Sequence, residues 1–466
     1  MNRGEASKYM VGTLTYTMPK LIFTAFWLLG ALLSINLLAY KMVPTLMPIL
    51  LDRHHVSATA MTIILSSVPS LMNFFICPFI STLSDKTRTR WGRRIPYLAA
   101  STPFVAGFMI LIAYEPSITE WLKQYCFPGT GSDQIGFWVL AVLTVLFQIA
   151  YLIPGSVVYY VYADVIPKQF IGTFMGISSF LGTGVTFVFN YFVLAPAVQN
   201  PKVWFPVVGG IYFISYLLLC IFVREGKYPP VPNNIRKEDN LPTRMKNHIL
   251  LYFRECYSFR IYTLLFITTG LTQASTLCRS MFNLLFATKD LGMTAKEFGH
   301  VMAIGALVAA VIVLPMGKLV DKVHPIFIFM FSGFIVIAMN VWGYFFVTDA
   351  KSFMIVGIAI VVIYAIQHLS QGPMLLYLVP SAQYGQFASA NSMINCTVVF
   401  IASILGGYCT DLFGYRMIFI WDFVLTIIAT ITLLAVYAEW KRAGGKEHYT
   451  PPVLQAPKSP DGKMPT

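Results

Sequence analysis

A dense basic segment near residue 90 interrupts two long apolar stretches. Five of the nine residues from Lys86 to Arg94 are lysine or arginine, and apolar sequence flanks them on both sides. Such a charge cluster cannot lie in hydrocarbon, so it must form a tight turn between two membrane spans. A shorter copy of the pattern, Gly-Lys-Leu-Val-Asp-Lys at 317–322, follows in the second half of the chain. A charged turn between two helices, repeated in both halves, indicates an internally duplicated membrane protein.

Composition points to the same class. Hydrophobic residues make up 57% of the chain and charged residues only 11%, whereas soluble domains carry about 25% charged residues. Apolar runs of about 20 residues, the length that crosses a bilayer, predict an all-α membrane protein with about twelve transmembrane helices. The predicted spans are 21–40, 59–82, 96–114, 135–162, 171–195, 203–223, 260–287, 298–317, 325–347, 352–378, 387–410 and 415–438.

The basic residues predict the orientation of these spans. With both termini in the cytoplasm, the inner segments hold 24 lysines and arginines and the outer loops hold 8, Lys41 among them. Because positive charge is retained on the cytoplasmic side, we expect a multi-pass protein of the cell membrane with both termini inside. The net charge of +13 requires no nucleic acid, since topology and anionic lipid account for it.

Five segments follow from this topology. A cytoplasmic N-terminus at 1–20 precedes a six-helix bundle at 21–223. The hydrophilic linker at 224–258 begins with prolines that oppose a helix, and from Thr243 an amphipathic pattern predicts a helix on the inner membrane surface. A second six-helix bundle occupies 259–438. The tail at 439–466 is rich in proline, lysine and glycine, and we expect it to be disordered.

Two motifs carry a resemblance to a known family. The turn reads Arg88-Thr89-Arg90-Trp91-Gly92-Arg93 with Pro96-Tyr97 after it, and the fourth span ends in Ala163-Asp164-Val165-Ile166-Pro167. With these motifs the chain resembles the major facilitator superfamily, and within it the glycoside–pentoside–hexuronide transporters and the sucrose–proton symporters. The resemblance implies the major facilitator fold, with two six-helix bundles around a central cavity that opens alternately to either side of the membrane.

The chain departs from these transporters at the cation site. The melibiose-type carriers place two carboxylates in the second span, and the corresponding residues here are Asn73 and Cys77. Neither supplies the charged, hard oxygen ligand that such cations require. We therefore expect protons rather than sodium as the coupling ion, and neither a metal nor a cofactor.

Polar side chains recur at helical spacing in the spans that the resemblance places around the cavity. Neutral amides and aromatic faces are what a sugar requires, so we expect a cavity that binds a glycoside. The alternative is that these side chains hydrogen-bond between neighbouring helices. The candidate cavity residues are Asn36, Asn73, Gln148, Tyr151, Tyr159, Asn190, Gln273, Arg279, Asn283, Gln367, His368, Gln371, Asn391 and Asn395.

Two of these candidates are ionisable. Arg279 could bind an anionic substrate such as a uronic-acid glycoside by bidentate hydrogen bonding, or it could lie near the membrane edge. His368 could carry the coupling proton, or it could be a neutral hydrogen-bonded residue. Asp422 is expected close to the membrane surface, without a role.

A cytoplasmic ion-pair gate is predicted at the basic turn. Carboxylates at helix ends lie within reach of the arginines, and acidic residues contribute little to orientation, so topology alone does not explain them. The predicted gate residues are Asp85, Arg90, Arg93, Arg94, Asp164 and Asp321.

These features predict a monomeric secondary active transporter that imports a neutral or acidic glycoside or related sugar with protons. An uncoupled facilitator or exporter of a small organic solute is the first alternative. A polytopic membrane enzyme is the second. It is disfavoured because the sequence has no phosphate-binding loop, metal-ligand cluster or soluble catalytic domain.

Overall fold

The computed structural model describes residues 9–11, 13–226, 252–380 and 383–452. In this part of the chain, twelve helices are long and apolar enough to cross a membrane. The first to twelfth spans are Met18–Asp52, Ala58–Ile76, Ile95–Ala113, Ser132–Tyr162, Gln169–Gln199, Pro201–Phe222, Arg260–Asp290, Ala295–Val313, Pro325–Phe346, Ala350–Leu378, Tyr384–Phe413 and Met417–Arg442. The predicted all-α membrane architecture is confirmed, although the first span runs well beyond the predicted 21–40.

Three of the helices that contain these spans continue further, towards the basic turn. The second span continues in the helix Val68–Lys86, the fourth in Ser132–Val165 and the eighth in Ala295–Val323. Two short helices lie outside the spans, Glu115–Tyr125 after the third span and Gly445–His448 after the twelfth.

Four spans contain π-helical segments, in which the wider turn changes the direction of the side chains that follow. These segments are Asn36–Met42 in the first span, Ile63–Ser67 in the second, Phe189–Val193 in the fifth and Phe286–Asp290 in the seventh. Segments of this kind are frequent at functional sites, and three of the four contribute to the cavity described below.

The chain begins with a small hairpin that the helical patterns do not indicate. Tyr9–Val11 pairs antiparallel with Leu14–Tyr16, with Tyr9 opposite Tyr16. The ring of Tyr9 packs edge-on against Phe170, with 5.1 Å between centroids. The hairpin is thereby fixed against the start of the fifth span.

The spans pack as two groups of six. In the first half, the third span packs against the fourth and sixth spans. In the second half, the seventh span packs against the eleventh and twelfth, and the tenth span packs against the eighth and ninth. The halves meet where the second span crosses the eleventh and the fifth crosses the eighth. We call the side of the membrane with the Arg88–Arg94 turn the basic side, and the other the opposite side.

Glycine permits both crossings on the opposite side. A Cβ atom on Gly299 of the eighth span would overlap the backbone oxygen of Asn190 in the fifth. A Cβ atom on Gly407 of the eleventh span would lie 2.6 Å from the Cα atom of Thr59 in the second. Small residues at such crossings allow helix backbones to approach closely inside a membrane.

The tail and linker differ in part from the sequence prediction. The tail is described as far as residue 452 and is ordered against the second half, where Tyr262 donates to the Pro452 oxygen at 2.8 Å and Tyr449 to the Leu378 oxygen at 2.7 Å. Residues 252–257 are helical. The amphipathic segment predicted from Thr243 and the end of the tail lie outside the described residues.

Candidate functional site

A central cavity lies between the two halves and has two adjoining lobes. The lysine lobe, named for Lys41, has a volume of about 360 Å³, and the glutamine lobe, named for Gln148 and Gln273, has about 580 Å³. The lobes share wall residues from the first, seventh and tenth spans, namely Tyr40, Pro44, Thr276, Ser280, Met281 and His368. Their volumes are in the range of small-molecule sites.

The walls combine neutral hydrogen-bonding groups with aromatic faces. Eight of the fourteen candidate residues from the sequence line the lobes: Asn73, Gln148, Tyr151, Asn190, Gln273, Arg279, Asn283 and His368. Two of their amide oxygens, Oε1 of Gln148 and Oδ1 of Asn283, have no hydrogen-bond partner among the described residues. Buried polar atoms without partners are rare, so these two amides have hydrogen-bonding capacity that the described residues do not use.

The other six candidates do not line these two lobes. Asn391 and Asn395 of the eleventh span instead accept from Thr269 Oγ1 of the seventh, at 2.5 and 3.1 Å. These hydrogen bonds join two helices inside the second half. The remaining four, which lie elsewhere in the first, fourth and tenth spans, are Asn36, Tyr159, Gln367 and Gln371.

Lys41 is a cavity residue that the sequence interpretation assigned to an outer loop. The structure extends the first span to Asp52, which places Lys41 inside the span, in the π-helical segment Asn36–Met42. Its side chain lines the lysine lobe. Tyr40 and Lys41 follow an apolar run, and a polar pair in that position is the sequence pattern of a span that ends at residue 40. The later apolar residues around Pro44 and Pro48 were the available signal that it continues.

Arg279 lies in the wall of the lysine lobe, but its charge is already matched. It is 7% exposed. Its Nε donates to Asp422 Oδ2 at 3.2 Å and its Nη2 to Asn340 Oδ1 at 2.5 Å. The guanidinium also lies 4.9 Å from the ring centroid of Phe419. A guanidinium paired in this way is not a free anchor for an anion, in contrast to the sequence hypothesis.

Asp422 is the centre of this buried network rather than a surface residue. Its exposed fraction is 0%. Besides Arg279, it accepts from Asn340 Nδ2 at 3.0 Å, from Thr426 Oγ1 at 3.1 Å and from the Tyr364 hydroxyl. The network joins the seventh, ninth, tenth and twelfth spans, and it reaches the lysine lobe through Tyr364 and Arg279.

The basic turn is fixed to the first half by two carboxylates. Asp164 accepts from Arg93 Nε at 3.2 Å and Nη2 at 2.9 Å, and Nε of Arg94 lies 3.2 Å away. Glu225, which the sequence interpretation missed, accepts from the backbone N–H groups of Arg93, Arg94 and Ile95 at 2.7–2.9 Å. It thereby caps the helix of the third span, where negative charge is favoured.

The other predicted gate residues are Arg90, Asp85 and Asp321. Arg90 lies over the ring of its neighbour Trp91, with 5.5 Å to the centroid. The side chains of Asp85 and Asp321 lie outside the described residues. The described ion pairs of the turn stay within the first half, and so they do not by themselves join the two halves.

A carboxylate caps a helix across the two halves on the opposite side. Asp411 of the eleventh span accepts from the backbone N–H groups of Ala58 and Thr59 at 2.6 and 2.9 Å, and from the Thr59 hydroxyl at 2.5 Å. These are N–H groups at the start of the second span, where a helix has unpaired donors and favours an anion.

Two further contacts extend this closure. Lys289 at the end of the seventh span pairs with Asp52 at the end of the first, at 2.5 Å. The hydroxyls of Ser67 and Ser403 lie 2.5 Å apart, deeper in the same crossing of the second and eleventh spans. We call the Asp411 cap, the Lys289–Asp52 pair and the Ser67–Ser403 contact the opposite-side seal.

A metal site is not evident in the described part of the chain, where no three histidine, cysteine, aspartate or glutamate side chains converge to hold an ion. The ionisable groups of the cavity wall are Lys41, Arg279, His368 and tyrosines.

Comparisons with known proteins agree with this geometry. The sequence model of the Major Facilitator Superfamily matches residues 265–460. No curated protein matches the chain.

Solved structures match over nearly the whole chain. A bacterial homologue of the human lysosomal transporter Spinster, in an inward-facing and unoccupied conformation, is 13% identical, with a TM-score of 0.69 over 92% of this chain and 99% of that one. The nucleoside transporter NupG is 12% identical, with a TM-score of 0.58 over 91% and 100%. A D-xylose–proton symporter is 13% identical, with a TM-score of 0.59 over 89% and 97%. The chain therefore has the major facilitator fold, as predicted.

Proposed function

We propose that the chain is a secondary active transporter of the major facilitator superfamily that imports a glycoside or related sugar together with protons. The observation that carries this proposal is the central cavity, which side chains from both halves line and the opposite-side seal closes at one end. Relative movement of the halves can expose such a cavity to either side of the membrane in turn. The fold supports a transporter rather than an enzyme.

The cavity walls support a sugar as the solute. Hydroxyl groups require many neutral donors and acceptors, and the glutamine lobe supplies Asn73, Gln148, Gln273 and Ser280. Tyr151 contributes an aromatic face, parallel to the ring of Phe147 with 6.0 Å between centroids. The structural neighbours include a nucleoside transporter and a D-xylose–proton symporter, whose solutes both carry several hydroxyl groups.

His368 is the proposed proton carrier. It lines both lobes and is an exposed side chain, so a proton and a solute can reach the same place. An imidazole is the side chain whose ordinary pKa lies nearest to physiological pH. In this proposal the basic side faces the cytoplasm of a cell-membrane protein, and the protein acts as a monomer.

The arginine cluster at the basic turn is proposed as part of the cytoplasmic gate. Arg93, Arg94 and Asp164 stiffen the first half at its inner end, and Asp85, Arg90 and Asp321 would complete the contact between halves when the cavity opens outward. This outward-facing arrangement is the reverse of the state described here, in which the opposite side is sealed.

Counterflow in proteoliposomes tests the proposal. Purified full-length protein should accumulate a labelled sugar against an internal unlabelled pool, and an inwardly directed proton gradient should drive uptake without the pool. The variant His368→Gln should retain counterflow and lose the response to the gradient. Counterflow without any response to a proton gradient in the unmodified protein would favour the uncoupled facilitator. No counterflow of any neutral or acidic sugar would contradict the proposal.

A further inference from the structure

The charges around the cavity do not balance. The residues that line its two lobes include Lys41 and Arg279, and none of them is aspartate or glutamate. Arg279 is matched by Asp422 behind the wall, at 3.2 Å. Lys41 has neither a hydrogen bond nor a carboxylate partner among the described residues, so its ammonium group is a cation of the cavity wall without a matching anion there.

An uncompensated ammonium group at this depth is costly. Charged side chains within membrane spans usually pair with one another or face a water-filled cavity that serves a substrate. Lys41 is the 24th residue of the 35-residue first span Met18–Asp52, and its segment is the π-helix Asn36–Met42. The wide turn directs Lys41 and the adjacent Tyr40 to the lysine lobe, where both are wall residues.

The surroundings of Lys41 fit an organic anion with hydroxyl groups. Thr45, Asn190 and Ser280 line the same lobe and can hydrogen-bond to a carboxylate that the ammonium attracts. The glutamine lobe continues from the shared wall at Tyr40 and Thr276 with neutral amides. One charged lobe beside one neutral polar lobe therefore complements a solute with one acidic end and one hydroxylated body.

We propose that Lys41 binds the carboxylate of a monoanionic, polyhydroxylated solute, so that the transporter selects sugar acids over the corresponding neutral sugars. This inference rests on the proposed function and narrows its substrate class. It assigns the anion-binding role to Lys41 and leaves Arg279 as a structural residue of the second half.

Matched pairs of solutes test the inference. Counterflow would be measured with purified full-length protein for glucuronate and glucose, galacturonate and galactose, and gluconate and sorbitol. We expect the acid of at least one pair to be transported with a half-saturating concentration well below that of its neutral partner. Equal or better transport of the neutral members would overturn the inference and leave the proposed function intact. No transport of any member of the three pairs would count against the proposed function itself.

Substitution of the lysine then tests its role. Lys41→Gln should raise the half-saturating concentration of the acid about 10- to 100-fold, the loss typical of a charge-assisted hydrogen bond, and should change that of the neutral partner little. Lys41→Arg should recover part of the preference. Lys202→Gln, which removes an exposed lysine at the start of the sixth span, is the matched control and should change neither. An equal loss for both members in Lys41→Gln would overturn the inference.

A measurement on the unmodified protein tests the inference without depending on the folding of any variant. A bound solute raises the melting temperature of the protein that binds it. The acid should therefore stabilise the unmodified protein in detergent at concentrations at which its neutral partner does not. Equal stabilisation by both members of every pair would overturn the inference without recourse to any variant.

Discussion

The buried pair of Arg279 and Asp422 allows a quantitative test of the cavity wall. Asp422 is 0% exposed and receives hydrogen bonds from four side chains, and Arg279 is 7% exposed. Removing one partner of a buried ion pair leaves an uncompensated charge, which costs about 3–5 kcal/mol. We therefore expect Arg279→Gln and Asp422→Asn each to destabilise the protein by that amount.

The double variant separates charge from packing. Arg279→Gln with Asp422→Asn leaves two neutral amides in place of two charges, so no charge remains buried without its partner. The double variant should therefore lose less stability than either single variant. A double-mutant cycle measures this coupling directly.

Thermal melting of the purified protein in detergent is the assay. A change of 1 kcal/mol shifts the melting temperature by about 2–4 °C in a domain the size of the second half, so each single variant should melt about 6 to 20 °C lower. The control is Arg442→Gln, which breaks the exposed pair with Glu439 at 3.4 Å. Exposed pairs contribute at most about 1 kcal/mol. A double variant as unstable as the sum of both single variants would refute the proposed charge compensation.

Two other predictions concern the ends of the cavity. The double variant Ser67→Cys with Ser403→Cys should form a disulfide on mild oxidation, because the two hydroxyls lie 2.5 Å apart. Transport should then stop until a reductant is added. Undiminished transport by the oxidised, cross-linked protein would contradict a seal that must open in each cycle. Asp164→Asn removes a carboxylate that pairs with the side chains of both Arg93 and Arg94, so initial transport rates should fall several-fold at unchanged surface expression. Asp133→Asn, at an exposed carboxylate, serves as the control, and normal rates for Asp164→Asn would exclude a role in the gate.

The fold could be predicted from the sequence because the hydrocarbon of a bilayer restricts which segments can cross it. A run of about 20 apolar residues has to be a helix that satisfies its own backbone hydrogen bonds. The arginines at 88–94 have to remain outside the hydrocarbon layer. The first span shows where the rule stops. Lys41 follows an apolar run and reads as the beginning of a loop, but a π-helical turn and the apolar residues after it carry the helix on to Asp52.

The site was predictable only in part, because helical spacing shows which residues share a face and not what that face meets. Asn190 and Gln273 line the cavity, while Asn391 shows the same kind of spacing and accepts from Thr269 of a neighbouring helix. The role of Arg279 depends on Asp422, which lies 143 positions later in the chain. No local pattern reports that contact, and only the packing of the second half brings the two charges together.

The opposite-side seal has a kinetic consequence for the proposed transporter. A protein without solute has to break the Lys289–Asp52 pair and the Asp411 cap of the second span when it reorients. No interaction with a solute offsets the free energy of those contacts. A loaded protein can offset that cost when its solute interacts better with the reoriented state. Exchange of solute across the membrane should therefore outpace net one-way flux, with the return of the vacant carrier as the slow step of each turnover.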